Sequence, residues 1–195
     1  MKNKPLAKKI IAGKYKGKTL LLPSKETTRS SKAIVLESFF NTLQFDIVDS
    51  VFVEVFSGSG SIGLEALSRG AKEIIFMEKD AQALKILKKN ISAVDSSSCE
   101  VIGGDSFVNI AMVVKKLQSK GVDAYIYIDP PFSIREGMQD IYDKMIKMIS
   151  SIPKEVAKMV IIEHMSTLKI PDNIAHFNIK KSKKFGKTTL TYLVA

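Results

Sequence analysis

The sequence predicts an α/β protein: a mainly parallel sheet of seven strands covered by helices, its last strand reversed, with a small basic arm in front. Three observations lead there. Between residues 50 and 164, short apolar runs alternate with stretches of helical periodicity, as expected of buried parallel strands joined by crossover helices. A glycine turn, Gly58-x-Gly60-x-x-Gly63, joins the first of these runs to its helix. The pattern then breaks, because residues 173–195 hold two strand-like runs around Phe185-Gly186, too close together for a crossover helix and therefore antiparallel.

Taken in order, AGKYKGKTLLLP (12–23) has the glycines and β-formers of a short hairpin closed by Pro23. TTRSSKAIVLESFFNTL (27–43) turns helical, with Val35, Leu36, Phe39, Phe40 and Leu43 on one face and Ser30 or Ser31 as its cap. VFVEVF (51–56) is the first sheet strand, and the helix SIGLEALSRG ends at Gly70. EIIFM (73–77), CEVI (99–102), DAYIYI (123–128) and AKMVIIEH (157–164) are the next four strands. Helices over 81–93, about 106–118 and 135–149 separate them, the last placing Met138, Met145 and Met148 at core spacing. The expected division is an arm and helix over 1–48 and an α/β domain over 49–195.

Composition narrows the class. The chain is 195 residues long, 45% hydrophobic and 26% charged, which suits one soluble domain with a sizeable core. No apolar run reaches membrane-spanning length and no signal-peptide pattern opens the chain, so a cytoplasmic protein is expected. Cys99 stands alone, which excludes a disulfide framework and a cysteine metal cluster; it reads as a small apolar strand residue. No apolar helix face asks for a second copy, and a monomer is expected.

The net charge of +10 is unevenly spread. Residues 1–32 hold ten Lys or Arg against Glu26, and residues 169–187 hold six Lys against Asp172, so the two ends together carry +14 and the remainder −4. Two basic ends on an acidic centre fit a polyanionic partner.

The glycine turn places backbone N–H groups and a helix N-terminus beside a bound ligand. Glu78, twenty residues after Gly58 at the end of the second sheet strand, can accept both hydroxyls of a ribose. A dinucleotide would fit so far. Three features turn the reading toward a cationic adenosine. Glu54 puts a carboxylate in the first strand, where it would repel a pyrophosphate but can orient a ligand bearing an ammonium or sulfonium. Asp105, in GGDSF, follows the third strand where it can accept from an adenine amino group. The antiparallel end of the sheet is the third.

The fourth strand ends in Asp129-Pro130-Pro131-Phe132, at the carboxyl edge where open α/β sheets bind ligands. Prolines remove N–H donors, so this loop presents acceptors: the Asp129 carboxylate and backbone carbonyls. Two acceptors on the hydrogens of a nucleobase amine would draw its nitrogen toward tetrahedral geometry and aim its lone pair at an electrophilic methyl. Phe132 would stack on the extruded base.

On these residues the chain resembles the class I S-adenosylmethionine-dependent methyltransferases, and within them the RsmD family, which methylates a guanine N2 of bacterial 16S ribosomal RNA. EVFSGSGSIGLEALSRGA resembles the family's first motif, DPPF its catalytic loop, IIAGKYKGKTLLLP its N-terminal arm, and TRSSKAIVLESFFNTL its following helix at Arg29, Val35, Glu37, Phe40, Asn41 and Leu43. The chain departs from the family at Ser30 and Ser31 (usually Pro and Thr), at Leu36 (Arg) and at Glu54 (Asp). The resemblance implies a Rossmann-like methyltransferase sheet and a site for S-adenosylmethionine formed by Glu54, Phe56, Ser57, Gly58, Ser59, Gly60, Glu78, Lys79, Gly104, Asp105, Ser106 and Asp129. It implies catalysis by Asp129, Pro130, Pro131 and Phe132 on guanine 966 in the usual rRNA numbering, and no metal. RNA contacts would come from Lys8, Lys9, Lys14, Lys16, Lys18 and Arg29 of the arm region and from Lys180, Lys181, Lys183 and Lys184 near the C-terminus, the substrate being ribosomal RNA or an assembling small subunit.

Other readings stay open. A DNA or other RNA amino-methyltransferase would keep every cofactor residue, although no target-reading segment is visible for DNA. A nicotinamide oxidoreductase explains the glycine loop and Glu78 but leaves DPPF without a role. A ribosome-assembly RNA-binding factor without catalysis explains the basic ends alone. His164 and His176 have no nucleophile at a usable spacing, and Glu163-His164 reads as strand-end packing rather than as the substrate mouth.

Overall fold

The computed structural model describes residues 6–23, 30–131 and 140–195, with side chains from residue 33 onward in the first helix. Phe132, Met138, Arg29 and the capping role of Ser30 or Ser31 therefore lie outside the described residues. The chain gathers into two compact units, one running to Gly104 and one spanning Asp105–Ala195.

The first unit opens with an antiparallel hairpin of β1 (Ala7–Lys9) and β2 (Thr19–Leu21). β2 lies inside the expected 12–23 span, and β1 precedes it. Gly13 and Gly17 have φ of +82° and +85°, so they belong to the connection and not to a strand. Next comes α1 (Ser30–Leu43), whose expected face is buried throughout: Val35, Leu36, Phe39, Phe40 and Leu43. Then β3 (Val51–Val55), α2 (Ser61–Ser68), β4 (Glu73–Glu78), α3 (Ala81–Val94) and β5 (Cys99–Gly103) alternate, and β4 pairs in parallel with both β3 and β5. The side chain of Asp80 caps α3 by accepting from the N–H groups of Gln82 and Ala83.

The arm is bolted onto α2 and α3 by polar side chains. Buried Glu65 accepts from the N–H groups of Ile11 and Ala12 at 2.8 and 3.1 Å and pairs with Arg69, whose guanidinium lies over the Phe40 ring. Ser68 accepts from the Tyr15 N–H through its hydroxyl and from the Lys14 N–H through its carbonyl, and it donates to the Ala12 carbonyl. The Tyr15 hydroxyl reaches Asp95; hydrogen bonds from Ser97, foremost its hydroxyl, together with this one hold the Asp95 carboxyl down at about 2. A Cβ at Gly13 would sit 1.7 Å from the Ser68 carbonyl oxygen. Gly13→Ala is therefore expected to unseat the arm and, adding left-handed strain, to lower stability by about 2–4 kcal/mol. A lower urea midpoint, with faster proteolysis confined to residues before Pro23, checks it.

The second unit begins with α4 (Ser106–Lys120), stopped at Gly121 in the left-handed conformation. It continues through β6 (Ala124–Ile128), α5 (Ile141–Ser150), β7 (Ala157–Met165), β8 (Asn173–Ile174), β9 (Phe177–Phe185) and β10 (Thr188–Val194). β6 and β7 are parallel; β10 runs antiparallel to both β7 and β9, which puts the expected reversal in place. Among the described residues the two-residue β8, paired with the start of β9, takes the sheet strands one beyond the seven expected. Both β3 and β6 are buried at every position, the burial that continuous apolar runs imply. No helix among the described residues is long and apolar enough to cross a membrane.

Candidate functional site

In the first unit the glycine turn is built around two carboxylates. Helix α2 starts at Gly60, which has no side chain to cap it. Glu54, 4% exposed on β3, supplies the cap from the neighbouring strand: its carboxylate accepts from the N–H of Gly63 at 2.8 Å and of Ile62 at 3.3 Å. Expected to orient a ligand cation, Glu54 thus first orients the helix that starts beside the ligand loop. Glu78 ends β4 and closes the turn. It accepts from the N–H of Gly58 at 2.6 Å and from those of Lys79 and Asp80, both at 2.7 Å. Three of its about four in-plane acceptor positions are thereby used, leaving about one for a ribose hydroxyl.

The loop between them separates outward from inward residues. Phe56, Gly58 and Gly60 have φ of +62°, +54° and +76°. A phenylalanine there is a strained choice of residue, and strain of this kind collects at ligand sites. Phe56, Gly58 and Ile62 keep exposed surface. Ser57, Ser59 and Gly60 are buried. The Ser57 hydroxyl donates toward the carbonyls of Glu54 and Met77 and accepts from the Met77 N–H, stitching β3 to β4. Ser59 is fully buried, and its carbonyl accepts from Asn90. Gly104, with φ of +120°, follows β5 and donates to the Glu78 carbonyl, while Lys79 is exposed.

In the second unit Asp105 caps α4, accepting from the Phe107 N–H at 3.0 Å, so the residue expected at an adenine amine also holds a helix start. Ser106 is 2% exposed, and its hydroxyl has no hydrogen-bond partner. Asp129 leaves buried β6 half-buried, Pro130 is buried and Pro131 half-buried, so two successive residues after the carboxylate lack an N–H. Tyr142, on the first turn of α5, was not singled out by its sequence context. Burial, and with it the charge of Asp129, raises its phenol above the ordinary tyrosine range, and its hydroxyl lacks a well-formed partner.

The remaining candidates have structural roles. The carbonyl of Met165 can only accept, so His164 Nδ1 donates to it and Nε2 accepts from the Thr191 hydroxyl at 2.9 Å; burial lowers its pKa and keeps the ring neutral. Glu163, also buried, accepts from the Tyr127 hydroxyl at 2.5 Å. Burial pushes the Cys99 thiol up to about 12, which makes it inert. Among the described residues no group of three or more His, Cys, Asp or Glu could hold a metal ion.

The basic residues divide as well. Lys9, Lys14, Lys16 and Lys18 are exposed and Lys8 is half-buried. Lys18 donates to the Ala93 carbonyl, and both Lys14 and Lys18 lie over the Tyr15 ring, so these two also fasten the arm. On β9, Lys180, Lys181, Lys183 and Lys184 are all exposed. The register with β10 shifts at Lys180, a bulge that places Lys181 opposite Tyr192 and keeps it off the face of Ile179.

Comparison with known proteins identifies the family and the fold. The family described as Conserved hypothetical protein 95 matches residues 8–194. The chain is 36% identical over 135 residues to Ribosomal RNA small subunit methyltransferase D of Haemophilus influenzae, covering 68% of each chain. Its identity to the Escherichia coli protein of that name is 32% over 124 residues, 64% of this chain and 60% of the other. The solved structure of "Putative methyltransferase yhhF" from Escherichia coli superposes with a TM-score of 0.74 at 25% identity, over 96% of this chain and 97% of that one. The chain therefore belongs to the Conserved hypothetical protein 95 family, the RsmD family of small-subunit ribosomal RNA methyltransferases, and its fold is the Rossmann-like fold of class I methyltransferases.

Proposed function

We propose that this protein transfers a methyl group from S-adenosylmethionine to the exocyclic N2 of a guanine in small-subunit ribosomal RNA, guanine 966 in the usual numbering. The observation that carries the reading is the Asp129-Pro130-Pro131 turn at the end of buried β6: a carboxylate followed by two residues that cannot donate. A site made of acceptors suits an amine, whose two hydrogens need acceptors and whose lone pair must be turned out of conjugation. The residues of the first unit fit the cofactor. The half-exposed Gly58 has no side chain to obstruct a ligand, and Glu78, pinned by three N–H groups, keeps acceptor capacity at a fixed position for a ribose hydroxyl. Gly58, Gly60 and the adjoining backbone hold the methionine end, Glu54 fixes the helix that follows, and Asp105 with Ser106 lies against the adenine.

S-adenosylmethionine, when bound, supplies a methyl already activated on a sulfonium. What the chain adds is alignment. Asp129 and the Pro130 carbonyl take the two amine hydrogens, Phe132 stacks on the base, and the charge that develops on nitrogen falls beside the Asp129 carboxylate. The N–CH3 bond forms as the S–CH3 bond breaks; the products are S-adenosylhomocysteine, N2-methylguanosine and one proton, which leaves through Asp129 or water. The lysines of the arm and of β9 bind RNA phosphates.

The test is transfer of labelled methyl from S-adenosylmethionine to undermethylated small subunits, free ribosomal RNA and DNA, followed by nucleoside analysis. The expected product is N2-methylguanosine from a ribosomal substrate only. Label in DNA or in another nucleoside overturns the substrate assignment, and binding of the cofactor with no transfer to any substrate leaves the non-catalytic RNA-binding reading in its place.

A further inference from the structure

Asn90 touches the arm with one part of its side chain and the glycine loop with another. Its Oδ1 accepts from the Leu21 N–H at 2.8 Å, and its Nδ2 donates to the carbonyls of Leu21 and Ser59, both at 2.9 Å. These partners fix the orientation of the amide, since two carbonyls demand donors and one N–H demands an acceptor. Asn90 is 2% exposed, so a lost bond leaves a buried polar group unpaired. One turn earlier on α3, Leu87 lies under Gly60, where an added Cβ would meet Leu87 Cδ1 at 2.3 Å. Positions i and i+3 of one helix thus form the floor beneath residues 59 and 60 of the loop.

Ser59 is fully buried and Gly60 is held in the left-handed conformation, so the course of the loop depends on where the Ser59 carbonyl is kept. Glu65 and Ser68 anchor the arm on α2, and Lys18 and Tyr15 fasten it to the end of α3; the Asn90 bonds alone among these run from β2 through α3 to the loop itself. We infer that Asn90 is a positioning residue for the cofactor loop, registering Ser59 against the arm, so that the seating of the arm sets the affinity for the cofactor. The inference rests on the reading that this loop holds S-adenosylmethionine. Linkage makes the effect reciprocal: RNA that steadies the arm tightens cofactor binding, and bound cofactor tightens RNA binding by the same factor.

Two full-length variants test it by calorimetric titration with S-adenosylmethionine in the absence of RNA. Asn90→Asp keeps the shape and removes both donors. Leu21→Pro removes the N–H given to Asn90 without altering the loop or α3, and it leaves the Leu22 N–H on the Leu6 carbonyl. Each is expected to raise the Kd for S-adenosylmethionine about tenfold, as expected for a broken buried hydrogen bond. Turnover at saturating cofactor should stay within about twofold of the unaltered protein. A merely structural role would lower Tm and leave Kd unmoved, and that result, in whichever variant folds, overturns the inference. If Asn90→Asp does not fold, Leu21→Pro decides. Failure of the unaltered protein to bind S-adenosylmethionine is a different outcome, which overturns the reading of the loop and the inference with it.

Discussion

Asp129→Ala is expected to lower methyl transfer about 10²–10³-fold while changing the affinity for S-adenosylmethionine by less than about threefold. The reasoning is that the carboxylate acts on a group the cofactor does not contain. Asp129 is half-exposed at the end of β6, so its removal leaves no buried cavity. The amine then loses the acceptor that turns its lone pair toward the methyl, and nitrogen develops charge with nothing to offset it. Asp129→Asn separates alignment from proton transfer. It retains one oxygen acceptor and loses the charge, so alignment alone leaves it well above the alanine variant, whereas a required proton acceptor leaves both equally slow. Single-turnover rates at saturating cofactor, beside calorimetric Kd values, check both points. Near-normal turnover in Asp129→Ala would remove the proposed role.

What the sequence made legible followed from local periodicity. The buried face of α1, the continuous apolar strands β3 and β6, and the antiparallel end of the sheet are all properties of neighbouring residues. What stayed hidden depends on partners far along the chain. Glu54 was readable as a carboxylate in an apolar strand, but not as the cap of α2, because the motif does not say which N–H groups fold back onto it. Asn90 interrupts the apolar stripe of Ala83, Leu87, Ile91 and Val94, a visible signal whose meaning came only with Leu21 and Ser59, 69 and 31 residues away. Glu65 is the same case on α2, a charge in a wholly buried stretch that the arm explains. The serines of the glycine turn have partners that their motif does not name: the Ser57 hydroxyl accepts from the Met77 N–H, and the Ser59 carbonyl accepts from Asn90. The hairpin was displaced because β1 is the polar run Ala7–Lys9, which has no apolar alternation to mark it.

Gly63→Ala is expected to reverse the usual sign of such a substitution. In an open helix position alanine would stabilise by about 0.8–1.0 kcal/mol over glycine. Here the added Cβ would lie 2.5 Å from Phe76 Cε1, 2.7 Å from Ile74 Cγ2 and 2.9 Å from Glu54 Oε2. Phe76 and Ile74 are fully buried in β4, so neither has space to retreat. Helix α2 must therefore move off the sheet, and doing so stretches the bond from the Gly63 N–H to the buried Glu54 carboxylate. Overpacking and a partly unpaired buried charge together outweigh the propensity gain, for a net loss of about 2–4 kcal/mol. The displaced helix carries the end of the ligand loop with it, so the Kd for S-adenosylmethionine should rise by at least about tenfold in whatever fraction remains folded. Urea denaturation and calorimetry on the same preparation check the two effects together. A variant as stable as its parent, with unchanged affinity, would mean that α2 tolerates displacement and that the third glycine of the turn is not a packing requirement.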